Sequence, residues 1–125
     1  MGESEELNKS VVARHFEMVY GDGSDLSPID RDIAEDYVQH NPLAGQGREG
    51  VRRFFTEVLP LPLTGELDSS GTREVNLIAD RDFVVRQEIR ENGMLIDVFR
   101  LKDGLLVEHW DAFRPNPGFA RPPGF

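Results

Sequence analysis

The sequence predicts an α+β fold, with helices first and an antiparallel meander afterwards. Three observations predict it. Apolar residues recur at helical spacing through the first half of the chain. From Thr72 onward the period changes to two. Polar turn signals at Asp80-Arg81-Asp82, Glu91-Asn92-Gly93 and Lys102-Asp103-Gly104 cut the second half into runs of strand length.

From Glu5 to Tyr20, apolar residues fall at Leu7, Val11, Val12, Phe16 and Val19, which predicts a first helix with one buried stripe. The segment "GDGS" stops it. Ser27 is a fitting N-cap and Pro28 a fitting first helical residue, so a short helix is expected to about Glu35. "DYVQH" reads as a short strand, closed by Asn41-Pro42 and the glycine-rich "LAGQG". Val51, Phe54, Phe55, Val58 and Leu59 mark another helix, which Pro60 ends. Strands are expected at 72–80, 83–90, 94–101 and 105–114. A curved sheet with helices across one face leaves room for a pocket between the layers. The tail "RPNPGFARPPGF" can be neither helix nor central strand. It reads first as a loose end, with an extended arm over a surface as the alternative.

At 125 residues the chain is expected to be a single domain, 1–125, whose Pro/Gly-rich tail spans 115–125. Lys and Arg number 14 against 23 Asp and Glu, for a net charge of −9, which makes nucleic acid and anionic membrane poor partners. There is no cysteine, so disulfides, thiolate catalysis and zinc–thiolate sites are excluded. The acidic "MGESEEL" has no apolar core and no apolar run reaches membrane-spanning length, so a cytoplasmic location is expected.

The chemistry concentrates in "VEHWDAFRP". Strand alternation puts Leu105, Val107, His109, Asp111 and Phe113 on one face, an apolar wall interrupted by an imidazole and a carboxylate. On the preceding strand Leu95, Asp97, Phe99 and Leu101 share a face. Matching the two apolar sets requires a three-residue loop, which opposes Leu101 to Leu105, Phe99 to Val107 and Asp97 to His109. The same loop length at "RENGM" would bring Gln87 opposite Asp97. Ionised carboxylates cost several kcal/mol to bury unless paired, so this group is there for more than packing. One reading is a satisfied network with His109 protonated between two aspartates. The other is a pocket in which one aspartate takes and returns a proton.

The stretches "DYVQHNPLAGQGREGVRRFF" and "IDVFRLKDGLLVEHWDAFRP" resemble the SnoaL-like polyketide cyclase family over about Leu7 to Pro115. That family sits in the superfamily of nuclear transport factor, ketosteroid isomerase and scytalone dehydratase. The resemblance implies a conical barrel with N-terminal helices over the concave face of the sheet. It also implies intramolecular aldol closure by proton removal next to a carbonyl, with no cofactor and no metal. The cyclases' acid/base aspartate falls at Asp111. The Asp97 position carries a histidine in the antibiotic cyclases and an oxyanion-stabilising acid in the isomerase. Asn41 falls where the isomerase has its base, so it can only orient or polarise.

The expected function is therefore cofactor-independent proton transfer on a small apolar carbonyl compound. Asp111 is the expected acid/base, His109 its orienter, and Asp97 a carbonyl-side group. Asn41, His40, Gln87, Tyr37, Phe99 and Phe113 are the expected ligand contacts. Alternatives are a non-catalytic ligand binder and a structural dimerisation module. His15, on the first helix's apolar stripe, reads as a structural histidine. Trp110, with Leu106 and Ala112 on the other sheet face, predicts a homodimer.

Overall fold

The computed structural model describes residues 2–122. Helix α1 (Gly2–Val19) is followed by α2 (Ser27–Asp32), strand β1 (Ile33–Gln39) and α3 (Gly47–Arg53), which continues into a π turn at Phe54–Val58. Two 3-10 turns, Gly65–Leu67 and Ser69–Gly71, lead to β2 (Thr72–Asp80), β3 (Phe83–Arg90), β4 (Gly93–Lys102) and β5 (Leu105–Pro115). The sheet order is β1-β5-β4-β3-β2, antiparallel except for the parallel β1–β5 pair. Strands β1 and β2 stay as edges, so the sheet curls over the helices rather than closing. The apolar stripe of α1 (Val12, Phe16, Val19) packs with Ile29, Ile33, Val84, Phe99 and Leu106 to form the core. No helix among the described residues is long and apolar enough to cross a membrane.

The expected α+β order is observed, with local corrections. Ser27 is the first residue of α2 rather than its cap, and its hydroxyl bonds Asp25 Oδ1 (2.6 Å). That helix ends at Asp32 because the β-branched Ile33 already runs in the parallel β1–β5 pair. The tail takes the arm alternative: Asn116 N–H donates to Asn92 O (2.9 Å), its side-chain amide donates to Glu91 O (3.0 Å), and Pro122 is buried. Residues 123–125 of the tail lie outside the described residues.

Register holds the larger correction. The β4–β5 connection is a two-residue turn, Asp103-Gly104, with both residues in the left-handed region (φ 52° and 77°). Leu101 pairs with Leu106, then Arg100 with Glu108, so Val107 is an extra residue in a β-bulge. The bulge turns Leu106 inward, fully buried, where Leu105 and Val107 were expected. Beyond it the expected face is kept but slides: Asp97 opposes Asp111 and Phe99 opposes His109. The β3–β4 turn is also two residues, Glu91-Asn92, because Gly93 is needed inside the strand. A Cβ on Gly93 would lie 2.2 Å from Arg114 O and 2.8 Å from the Phe113 ring. Gln87 consequently pairs with Ile96 on the convex face, and its amide bonds Asn76 rather than the pocket. Arg86, Glu88 and Arg90 take the concave positions instead.

Candidate active site

Between the helices and the concave face lies a cavity that is partly open to solvent. Its wall is mainly apolar and rich in aromatic rings, among them Phe16, Tyr37, Phe54, Phe55, Phe99 and Phe113, and Pro122 of the tail borders it. The polar groups set into this wall are few and converge from β1, β4 and β5. They are Gln39, Asn41, Asp97, His109 and Asp111, with His15 and Arg90 from other directions.

The parallel pairing places Gln39 beside His109. His109 Nδ1 lies 2.8 Å from Gln39 Oε1, which also accepts the Asn41 backbone N–H (3.0 Å). A backbone N–H can only donate, so that atom is the carbonyl oxygen and His109 Nδ1 carries a proton. His109 Nε2 lies 2.7 Å from Asp97 Oδ1, so the pair shares a second proton along that line. The imidazole is sandwiched between Tyr37 (6.4 Å, 13°) and Phe99 (4.6 Å, 30°). Asp97 is buried, yet its Oδ2 has no hydrogen-bond partner. Burial, then the charges of Asp97 and Asp111, holds the Tyr37 phenol protonated.

Asp111 is half-buried. Its Oδ2 accepts from Asn41 Nδ2 (3.1 Å), and Asn41 is held in turn by the Leu43 N–H on its Oδ1 (2.9 Å). Burial pushes the Asp111 carboxyl above the usual range; the His109 charge pulls it back, Asp97 pushes it further, and the Asn41 bond pulls it back. A base with these surroundings is stronger than a solvated aspartate. His109 bonds Asp97 rather than Asp111, so the group that orients Asp111 is Asn41.

The structure thus gathers Asp97, His109, Asp111, Asn41, Tyr37, Phe99 and Phe113 around one space. It leaves out Gln87 and His40. His40 follows Gln39 on the outward side, where it stacks on Trp110 (4.8 Å, 4°) and contacts Glu108 (2.8 Å). Gln39 is the residue that sequence reasoning missed. Alternation from Tyr37 through Gln39 to Asn41 carried the signal. Asp97, His109 and Asp111 each offer a ligand atom within 4.8 Å of the others. Both nitrogens of His109 already face acceptors, so the imidazole could ligate a metal only by giving up its bond to Asp97 or to Gln39.

A family model described as a SnoaL-like domain matches residues 12–109. No curated protein matches the chain. Among solved structures, a provisionally assigned SnoaL-like polyketide cyclase from Jannaschia sp. CCS1 is 19% identical, with TM-score 0.62 over 87% of this chain and 86% of that one. A provisionally assigned ketosteroid isomerase from Kribbella flavida is 20% identical (TM-score 0.60, covering 95% and 84%). An NTF-2 like protein of unknown function from Burkholderia xenovorans is 14% identical (TM-score 0.65, covering 94% and 89%). At these identities the likeness is one of fold.

Proposed function

The chain belongs to the SnoaL-like domain family, and we propose that it is a cofactor-independent acid/base enzyme acting on a small apolar carbonyl compound, by aldol cyclisation, isomerisation or dehydration. The observation that carries this is the Asp111 carboxyl, raised by burial and oriented by Asn41 at the edge of an aromatic cavity. In this reading Asp111 takes the proton next to the carbonyl, and the electron pair moves into the carbonyl oxygen. The proton-bearing Asp97–His109 pair and the Asn41 amide lie on the carbonyl side and offset the charge that develops there. Asp111 then returns its proton to carbon or passes it to a departing hydroxyl. The cyclase and isomerase descriptions of similarly folded proteins support the reaction class.

The test is solvent-deuterium exchange into 1-tetralone, a bicyclic ketone. Asp111→Asn is nearly isosteric, so it should keep affinity and lose ~100-fold to 10,000-fold in kcat. Retained exchange in a well-folded Asp111→Asn variant would sink the mechanism. We also propose a homodimer through the convex sheet face, where Ile78 is 59% and Phe83 37% exposed, with Trp110 beside Phe83 (6.3 Å). A strictly monomeric sedimentation profile at high micromolar concentration counts against it. Leu106 takes no part, since it is buried in the core.

A further inference from the structure

Helix α1 presents Val11, Val12, Phe16 and Val19 to the core, and His15 lies on the same stripe. A histidine there is a polar group where valine or phenylalanine would pack without desolvation cost. It is 6% exposed. Its ring stands edge-on to Phe16 (5.3 Å), Phe55 (6.3 Å) and Phe99 (5.7 Å), and it borders the cavity. Burial first, and then the charge of His109, pushes the imidazole down to about 3, so it is neutral at physiological pH. A neutral imidazole has one donor and one acceptor nitrogen. Its Nδ1 is buried and has no hydrogen-bond partner.

That absence is not scattered over the molecule. Among the described residues, two buried side-chain polar atoms lack a partner: His15 Nδ1 and Asp97 Oδ2. Both residues line the same cavity. Buried polar groups in folded proteins are almost always satisfied, so the orphaned nitrogen of His15 in the cavity wall points to a ligand that supplies its partner. Phe99 touches both imidazoles, 5.7 Å from His15 and 4.6 Å from His109.

We propose that His15 is a specificity-determining residue: it hydrogen-bonds a second oxygen on the ligand, remote from the carbonyl at Asp111, so that the preferred ligand is an apolar ring system carrying a carbonyl and a hydroxyl. The placement of the first oxygen rests on the acid/base reading of the same cavity. A hydroxyl suits His15 because it can donate to an acceptor nitrogen or accept from a donor one. His15 touches no reacting atom in this scheme; it selects and orients.

The experiment compares binding of 1-tetralone with its four ring-hydroxylated isomers by titration calorimetry. The wild type should bind at least one hydroxylated isomer ~10-fold tighter than the parent ketone. His15→Phe should erase that preference, read as the ratio of the two affinities within the variant. In His15→Asn an amide atom sits where Nδ1 was, two bonds from Cβ, and part of the preference should return. Nitrogen-15 NMR of the wild type reads the same contact without a variant: the His15 Nδ1 resonance should move with the hydroxylated ligand and not with the parent. If no hydroxylated isomer binds more tightly than the parent, absence of binding included, or if His15→Phe keeps the preference, the proposal is overturned. Solvent-deuterium exchange by the wild type separates the two readings. A hydroxyl preference that persists where the wild type catalyses no exchange would remove the acid/base mechanism and leave the role of His15 standing.

Discussion

Two charged clusters are buried side by side on the concave face of this sheet, and they are built on opposite terms. On β3, Glu88 lies between Arg86 and Arg90. Its Oε1 accepts from Arg86 Nη1 (2.7 Å) and the Tyr20 hydroxyl (2.6 Å), while Oε2 accepts from Arg90 Nη1 (2.6 Å) and the Thr72 hydroxyl. Arg90 extends the set to the carbonyls of Glu66 (2.8 Å) and Asp68 (2.6 Å), tying the 3-10 turns to the sheet. The Arg86 guanidinium also lies 3.9 Å over the Phe16 ring. On β4 and β5, Asp97 alone bonds the His109 imidazole and its second oxygen has no partner, while Asp111 is held by Asn41 and faces the cavity. The protonation consequences diverge. Burial alone would push Glu88 up, but the bonds from Thr72, Tyr20 and Arg86 outweigh it and hold the carboxyl below its usual range. For Asp111 burial wins. Burial by itself thus does not mark a functional charge; incomplete satisfaction beside a cavity does.

Substitutions should order the two clusters oppositely on stability and on chemistry. The largest stability loss is expected for Glu88→Gln, which leaves two buried guanidiniums without their counter-charge. Breaking such a network costs about 3–5 kcal/mol, read from the urea midpoint. Exchange into 1-tetralone per folded molecule should be unchanged. Asp97→Asn comes next. It removes one partner of the His109 pair, but the new amide oxygen still accepts from Nε2, so the loss should be about 1–3 kcal/mol. Its exchange defect should be smaller than that of Asp111→Asn. If Asp97→Asn destabilises as much as Glu88→Gln, both clusters are structural and the contrast between them is broken.

Much of this arrangement was legible in the chain. The 3.6-residue spacing located α1 and α3, alternation located the four antiparallel strands, and Asp97, His109 and Asp111 fell on one face by parity alone. Parity survived because it depends only on the strand period. Register did not survive. The two-residue turn shifts the pairing by one residue and the bulge at Val107, which has no sequence mark, by one more, so Asp111, not His109, lies opposite Asp97. The Asn92-Gly93 turn signal was displaced by one residue because Gly93 must admit Phe113 and Arg114, a requirement set by a strand twenty residues away. That shift moved Gln87 out and brought the Arg86–Glu88–Arg90 set in. His15 looked structural because its stripe is apolar; its orphaned nitrogen appears only once the cavity is closed by β4 and β5.

The smallest expected effect is also the most direct test of the contrast, because its sign is opposite for the two clusters. The native state raises the Asp111 carboxyl above its unfolded value of roughly 3.9. Between those two pKa values the native protein holds a proton that the unfolded chain has released. Stability from this group is therefore complete below the unfolded value and is lost as pH rises through the folded one. At neutral pH the ionised, partly buried carboxylate remains a net cost. Asn cannot ionise, yet it still accepts from Asn41. Asp111→Asn should thus be more stable than the wild type at pH 7, and the advantage should shrink as the pH falls through the raised folded-state value, with no further change below the unfolded value of about 4. Glu88 runs the other way: its depressed carboxyl contributes stability above the unfolded value, lost as pH falls through the folded one. Urea midpoints of wild type and Asp111→Asn between pH 3 and 7 read the sign. An Asp111→Asn variant that is less stable at pH 7 would mean that the carboxylate is held by its partners as firmly as Glu88 is, and that it is not kept strained for a ligand.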